Sequence, residues 1–194
     1  MATRNTGKLR EIRALTFESR LIWHDLAEFP QVPEAIEDGR SFAENARRKA
    51  LQYAAATGLT TLADDSGLEV DCLGGAPGVD SAHYAGMPRD DAANNRRLAA
   101  AIRSFPMEQR TARYRCCMAL VERGQVVLES AGKVEGIILD SPRGTGGFGY
   151  DPYFLTPQLG RTMAELSSEE KNRISHRGLA LREMLDQIHQ RYGA

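Results

Sequence analysis

The chain has 194 residues, 25 Lys and Arg against 26 Asp and Glu, a formal net charge of −1, and 42% hydrophobic residues. Such a composition is globular, not disordered or fibrous, and a chain of this length buries roughly 70% of its unfolded surface without a disulfide or metal staple. Near-zero charge excludes a protein whose main task is gripping nucleic acid or an anionic membrane, so an anionic ligand must be met by a local positive cluster.

Cys72, Cys116 and Cys117 lack the C-x-x-C spacing of zinc or redox sites and read as buried thiols of a reducing cytosol. No apolar run approaches the roughly 20 residues of a bilayer span. The first 15 residues are Arg-rich and acid-poor, as in a transit peptide, but Glu11 and the use found below for Thr3, Asn5 and Lys8 favour a cytoplasmic chain.

In chain order, residues 7–16 predict a helix and Leu21-Ile22-Trp23 a short strand. Residues 30–39 are a polar, acidic loop. The capping box Ser41-x-x-Glu44 opens a helix that Gly58 stops. Leu59 to Ala63 is β-prone and ends at Asp64-Asp65-Ser66-Gly67. A Gly/Pro loop (74–78) and a helix (90–104) follow. From Thr111 the pattern is a meander: strands 113–121 and 125–129 around Glu122-Arg123-Gly124, then a third strand, 132–139. The loop Gly144 to Asp151 and a second capping box, Ser167-x-x-Glu170, lead into a final helix through Ile188. Helices and strands in this order predict an α/β protein with a mixed sheet.

Four clusters carry candidate chemistry. Thr3, Arg4, Asn5, Thr6, Gly7 and Lys8 stand before a helix, where backbone N–H groups and a lysine suit an oxyanion; the spacing is not that of a Walker loop, and taken alone it also reads as a solvated cap. Asp64 and Asp65 offer hard oxygen ligands at a strand end, and strand alternation gives them different roles; Glu34, Glu37 and Asp38 could complete a metal shell, while Asp-Ser-Gly is equally a common turn. Gly144 to Pro152 presents Phe148 as a stacking face and Asp151 as an acceptor, or is a Gly-rich turn over a core Phe. Lys171, Ser175, His176 and Arg177 bring donors suited to a carbonyl or phosphate, or are a charged helix face. His24, His83 and His189 have no partners at metal-ligand spacing.

Taken in order, T-x-N-x-x-K (Thr3–Lys8), S-F-x-E-N-A (Ser41–Ala46), A-D-D-S-G-L (Ala63–Leu68), L-G-G-A-P-G (Leu73–Gly78), G-T-G-G-F-G-Y-D-P (Gly144–Pro152) and S-H-R (Ser175–Arg177) closely resemble the inosine triphosphate pyrophosphatase family, house-cleaning hydrolases of aberrant purine nucleoside triphosphates. The resemblance implies one domain over residues 1–194, α/β, with an elongated mixed sheet flanked by helices and two lobes around a central nucleotide cleft. It further implies a cytoplasmic homodimer that takes a nucleotide as its partner, and neither nucleic acid nor membrane. The reaction implied is Mg²⁺-dependent hydrolysis of ITP, dITP and XTP to the monophosphate and pyrophosphate, with one or more ions per subunit.

Carried across position by position, Asp65 is the general base and a metal carboxylate, with Glu37 a second metal position. Thr3, Arg4, Asn5, Thr6, Gly7 and Lys8 hold the triphosphate, with Lys49 a further candidate. Ser66 contacts the nucleotide, and Phe148, Gly149, Tyr150, Asp151, Lys171, His176 and Arg177 frame the base. This chain departs from the pattern twice: only Met1 and Ala2 precede Thr3, which predicts a very short or truncated first strand, and His83 stands where an Arg is more usual. A non-catalytic nucleotide sensor and a pyrophosphatase of the septum-inhibitor type are the competing expectations. Asp65 argues against the first, and the S-H-R and F-G-Y-D motifs against the second.

Overall fold

A computed structural model describes residues 1–17 and 21–193. The helices are α1 (Thr6–Leu15), α2 (Phe42–Thr57), α3 (Asp91–Ile102), α4 (Ser168–Ile174) and α5 (His176–Tyr192). The strands are β1 (Thr61–Val70), β2 (Thr111–Glu122), β3 (Gln125–Ile138), β4 (Phe154–Thr156) and β5 (Arg161–Thr162), joined in that order in one sheet. Helix α2 starts and stops where its sequence dictates: the Glu44 N–H donates to Ser41 Oγ at 3.2 Å, and Gly58 ends it at φ 71°.

The class is α/β, as the sequence predicts, but the strand pairs run antiparallel and are not mixed. Arg123 and Gly124, at φ 49° and 76°, form a two-residue turn from β2 into β3. Ile137 then pairs with Leu155, and Leu155 with Thr162, in antiparallel register. The two-residue link Arg123-Gly124 leaves no room for the crossover a parallel pair needs.

Four expected elements differ. Leu21-Ile22-Trp23 is not a strand, and none precedes α1 among the described residues; the Ala2 N–H instead donates one bond to the Leu62 carbonyl at 2.8 Å. Strand β1 does not end at the aspartates but runs on to Val70, because Leu68 and Val70 are wholly buried and core packing overrides the turn-prone Ser66-Gly67. The predicted break at 130–131 is absent, so two expected strands are one, β3. Gly132 marks a close approach to α5, where a Cβ would lie 2.1 Å from the His176 carbonyl oxygen. The final helix is two, separated by Ser175 at φ −67° and ψ 150°.

The chain folds as two compact units, neither of them contiguous. The first comprises Met1–Asp65, Cys116–Gly132 and His176–Ala194. Within it the strands have two covered faces. Ala63, Ala119 and Val121 pack with Ala46, Ala50 and Tyr53 of α2. Leu62, Met118 and Leu120 pack with Ile12 of α1 and Leu181, Met184 and Ile188 of α5. The second unit, Ser66–Arg115 and Lys133–Ser175, is built on Leu68, Val70, Leu98, Ile102, Tyr114 and Phe154. Of the three cysteines only Cys116 is buried; Cys72 and Cys117 are half-buried.

Candidate active site

Strand alternation places Asp64 and Asp65 on opposite faces of β1, and each meets a different helix. Asp64 shares its face with Leu62 and turns toward α1 and α5. Lys8 Nζ lies 2.8 Å from Asp64 Oδ2 and Arg177 Nε 3.3 Å from the same oxygen. Arg177, 2% exposed, also pairs with Glu11. Burial pushes the Asp64 pKa up, but Lys8, Arg177 and Lys49 outweigh it and hold the carboxyl far below the usual range. The neighbouring Cys116 thiol is pushed well up, by burial first and by Asp64 second.

Asp65 shares its face with Ala63 and turns toward α2. Lys49 Nζ is 3.0 Å from Asp65 Oδ1, and Asn45 Nδ2 donates to Oδ2 at 3.0 Å. Here burial wins, and the Asp65 pKa is raised despite the opposing charges of Lys49 and Lys8. A buried carboxylate that takes up a proton more readily than usual is suited to general-base work.

The other end of Asn45 is fixed too: its Oδ1 accepts from the Gly39 N–H at 2.8 Å, and a Cβ on Gly39 would lie 2.5 Å from that oxygen. Asn45 therefore ties the acidic loop to Asp65. Asn45 lies in the motif Ser41–Ala46, where the sequence alone assigns it no role. The available signal was an amide among the small apolar residues of the α2 face that packs on the sheet. Glu11 was likewise legible only as a charge, one residue before the buried Ile12.

Glu37 Oε2 lies 2.7 Å from Lys49 Nζ, so Glu37 and Asp65 converge on one cationic group. Two carboxylates around a positive charge are a donor set that fits Mg²⁺. Asp38 instead pairs with Arg48, and no cluster of three or more His, Cys, Asp or Glu suited to a metal occurs among the described residues.

At the start of α1, Asn5 is the N-cap: its Oδ1 accepts from the Gly7 and Lys8 amides at 2.9 and 3.1 Å. The Asn5 amide in turn donates to Thr3 Oγ1 at 3.2 Å. Two of the amides expected to meet phosphate thus already hold a side-chain oxygen. Arg4 donates to the Val32 carbonyl, and Thr6 is exposed.

The second unit holds the remaining loop. Phe148 is half-buried, with Lys171 Nζ 4.6 Å from its ring centroid. Asp151 Oδ2 accepts from the Phe148 N–H at 2.8 Å and from Lys171 at 2.6 Å. Tyr150 is buried in the core, donates to the Ser81 carbonyl at 2.8 Å, and has its pKa pushed well up by burial; it braces the loop from beneath. Ser66 is half-buried on β1, and His83 is exposed. His176 and Arg177 belong to the first unit and are buried there, apart in the chain's division from Phe148, Asp151 and Lys171.

A cavity of about 430 Å³ in the first unit, lined by residues such as Leu21, Trp23, Leu62, Leu120 and Ile188, includes none of the sequence-predicted site residues. Its walls are mostly apolar and offer little to a triphosphate.

The model of the Ham1 family matches residues 1–187. The chain belongs to the Ham1 family. Its relatives include a dITP/XTP pyrophosphatase of Geobacter sulfurreducens, 52% identical over 97% of this chain and 94% of its own length. Another, of Desulforamulus reducens, is 47% identical over 99% and 96%. Among solved structures, a HAM1 protein from Coxiella burnetii is 41% identical, with a TM-score of 0.89 over 97% of this chain and 96% of that one. A nucleoside-triphosphatase/dITP/XTP pyrophosphatase from Mycobacterium abscessus is also 41% identical, with a TM-score of 0.76 over 96% and 97%. The family expected from the motifs is the family found. Among the described residues no helix is long and apolar enough to cross a membrane.

Proposed function

We propose that this chain hydrolyses ITP, dITP and XTP to the nucleoside monophosphate and pyrophosphate, acting in the cytoplasm as a homodimer with Mg²⁺. The names of its relatives support triphosphate hydrolysis. The observation that carries the chemistry is Asp65, a buried carboxylate with a raised pKa beside Lys49 and Asn45. A sensor would need no such base.

A triphosphate brings about four negative charges, and water attacks phosphorus poorly until they are neutralised. The start of α1 carries the positive end of the helix dipole, which opposes the growing charge on pyrophosphate, and Lys8 adds its charge there by turning its ammonium from Asp64, 2.8 Å away, to the phosphate. Asp65 accepts the proton of the attacking water, and Asn45 keeps its carboxylate oriented. Mg²⁺ held by Glu37 and Asp65 would supply Lewis acidity and charge neutralisation.

For the base, Phe148 offers a stacking face and Lys171 a donor beside it. A 6-oxo purine accepts from such a donor, whereas the 6-amino group of adenine leaves it unpaired, at about 1–3 kcal/mol.

Product analysis tests this reading. ITP with Mg²⁺ should give inosine monophosphate and pyrophosphate in equal amounts, whereas orthophosphate with a diphosphate product would replace it with a γ-phosphatase. Size exclusion at micromolar chain concentration tests the dimer.

A further inference from the structure

Helix α3 carries none of the residues assigned above, yet two of its side chains hold the loop that carries Phe148. The Gly149 N–H donates to Asp91 Oδ2 at 3.0 Å, and the Gly149 carbonyl accepts from Asn95 Nδ2 at 2.9 Å. Asp91 and Asn95 are four apart in α3 and so project from one face of the helix. They take both hydrogen-bonding groups of a single residue, and that residue stands at φ 62°, a conformation L side chains rarely adopt.

The grip is itself braced. Arg89 meets Asp91 with two nitrogens, at 2.9 and 3.2 Å. Asn95 spends its amide nitrogen on Gly149 while its Oδ1 is buried without a hydrogen-bond partner, so the Gly149 contact is what fixes this amide. On the far side of Phe148, Asp151 holds the Phe148 N–H. The peptide that sets the direction of the Phe148 ring is therefore fixed from two elements, and only one of them, the loop itself, lies in a motif of the resemblance.

We propose that Asp91 and Asn95 are positioning residues for base recognition: they set the Phe148 ring through the Gly149 peptide and so govern affinity and base discrimination without touching the nucleotide. This rests on the assignment of Phe148 to stacking under the proposed function. A stacking face used equally in ground and transition states shows in KM, not in kcat. Losing one hydrogen bond that holds the face should loosen binding by about three- to tenfold.

The test is steady-state kinetics of Asn95→Ala, Asp91→Ala and Asp91→Asn with ITP and with ATP, alongside melting curves. Both alanine variants should raise KM for ITP about three- to tenfold at nearly unchanged kcat and narrow the ITP-to-ATP ratio of kcat/KM. Asp91→Asn keeps an acceptor for the Gly149 N–H and should restore most of the KM. Unchanged KM and unchanged base ratio in folded alanine variants, with only a lower Tm, would make α3 a purely structural support and overturn the proposal. If one alanine variant does not fold, the other carries the same decision. A wild-type enzyme that releases no pyrophosphate from ITP would instead remove the proposed function, which separates the two failures.

Discussion

Arg177 Nε lies 3.3 Å from Asp64 Oδ2, joining the first residues of α5 to the middle of β1 inside the first unit. The contact closes a chain of alternating charge, Glu11, Arg177, Asp64, Lys8, whose two middle members are buried and whose ends are half-buried. Breaking a buried pair by removing one partner strands the other charge, at about 3–5 kcal/mol. Asp64→Asn should therefore lower stability by that order, measured as the urea midpoint, while turnover per folded molecule falls less than in Asp65→Asn. A variant as stable as wild type would mean that the chain is not buried in solution.

The same pair gives a pH signature. The folded-state pKa of Asp64 lies below its unfolded value, so the folded protein binds fewer protons through that window. Its contribution is complete above about pH 4 and is lost as pH falls further. Wild-type stability should slope downward below pH 4 more steeply than that of Asp64→Asn, as denaturant titrations at a series of acid pH values would show. Parallel slopes would assign acid sensitivity elsewhere.

Asp65→Asn removes the charge that accepts the proton while keeping shape and volume. General-base assistance is worth about 10²–10⁴-fold, so kcat should fall at least about a hundredfold. Because burial raises the Asp65 pKa, this carboxyl should titrate above the ordinary value of 3.8 in metal-free protein, as an NMR titration would show. Near-normal turnover in Asp65→Asn would show that another group takes the proton.

Phe148→Ala should raise KM by the roughly 1–3 kcal/mol of a lost stacking face, with little change in kcat. Unchanged KM with a lower melting temperature would make Phe148 a packing residue. Gly147→Ala should act on the same loop indirectly: a Cβ there would lie 2.1 Å from Asp151 Oδ2, at φ 70°. Asp151 would have to leave Lys171, so KM should rise and stability drop by about 1–3 kcal/mol.

The site was legible in the sequence wherever chemistry and local pattern coincide. Asn5 before α1 and Ser41 before α2 are cap residues by type, and both cap. The division of labour between Asp64 and Asp65 followed from strand alternation alone. What could not be read were choices made by distant partners. Nothing local to Ser66-Gly67 reveals that Leu68 and Val70 are buried, so local pattern ends the strand too soon. Arg177 sits 113 residues from Asp64, and no periodicity reports such a pairing. Nothing local to Ser130-Ala131 shows that strands 125–129 and 132–139 run on as one, with Gly132 admitting the close approach of α5.

The interleaving of the two units constrains how the gene can be cut. The core around α3 draws on residues from Leu68 to Leu166, and the core around α5 on residues from Ile12 to Ile188. A chain stopped after residue 170 would retain nearly all of the former, yet it would strip the latter of Ala180, Leu181, Met184 and Ile188. Neither unit exists as a cassette that a single recombination event could lift out or a single exon boundary could respect. An insertion at an exposed turn such as Arg123-Gly124 keeps every segment; halving the chain does not.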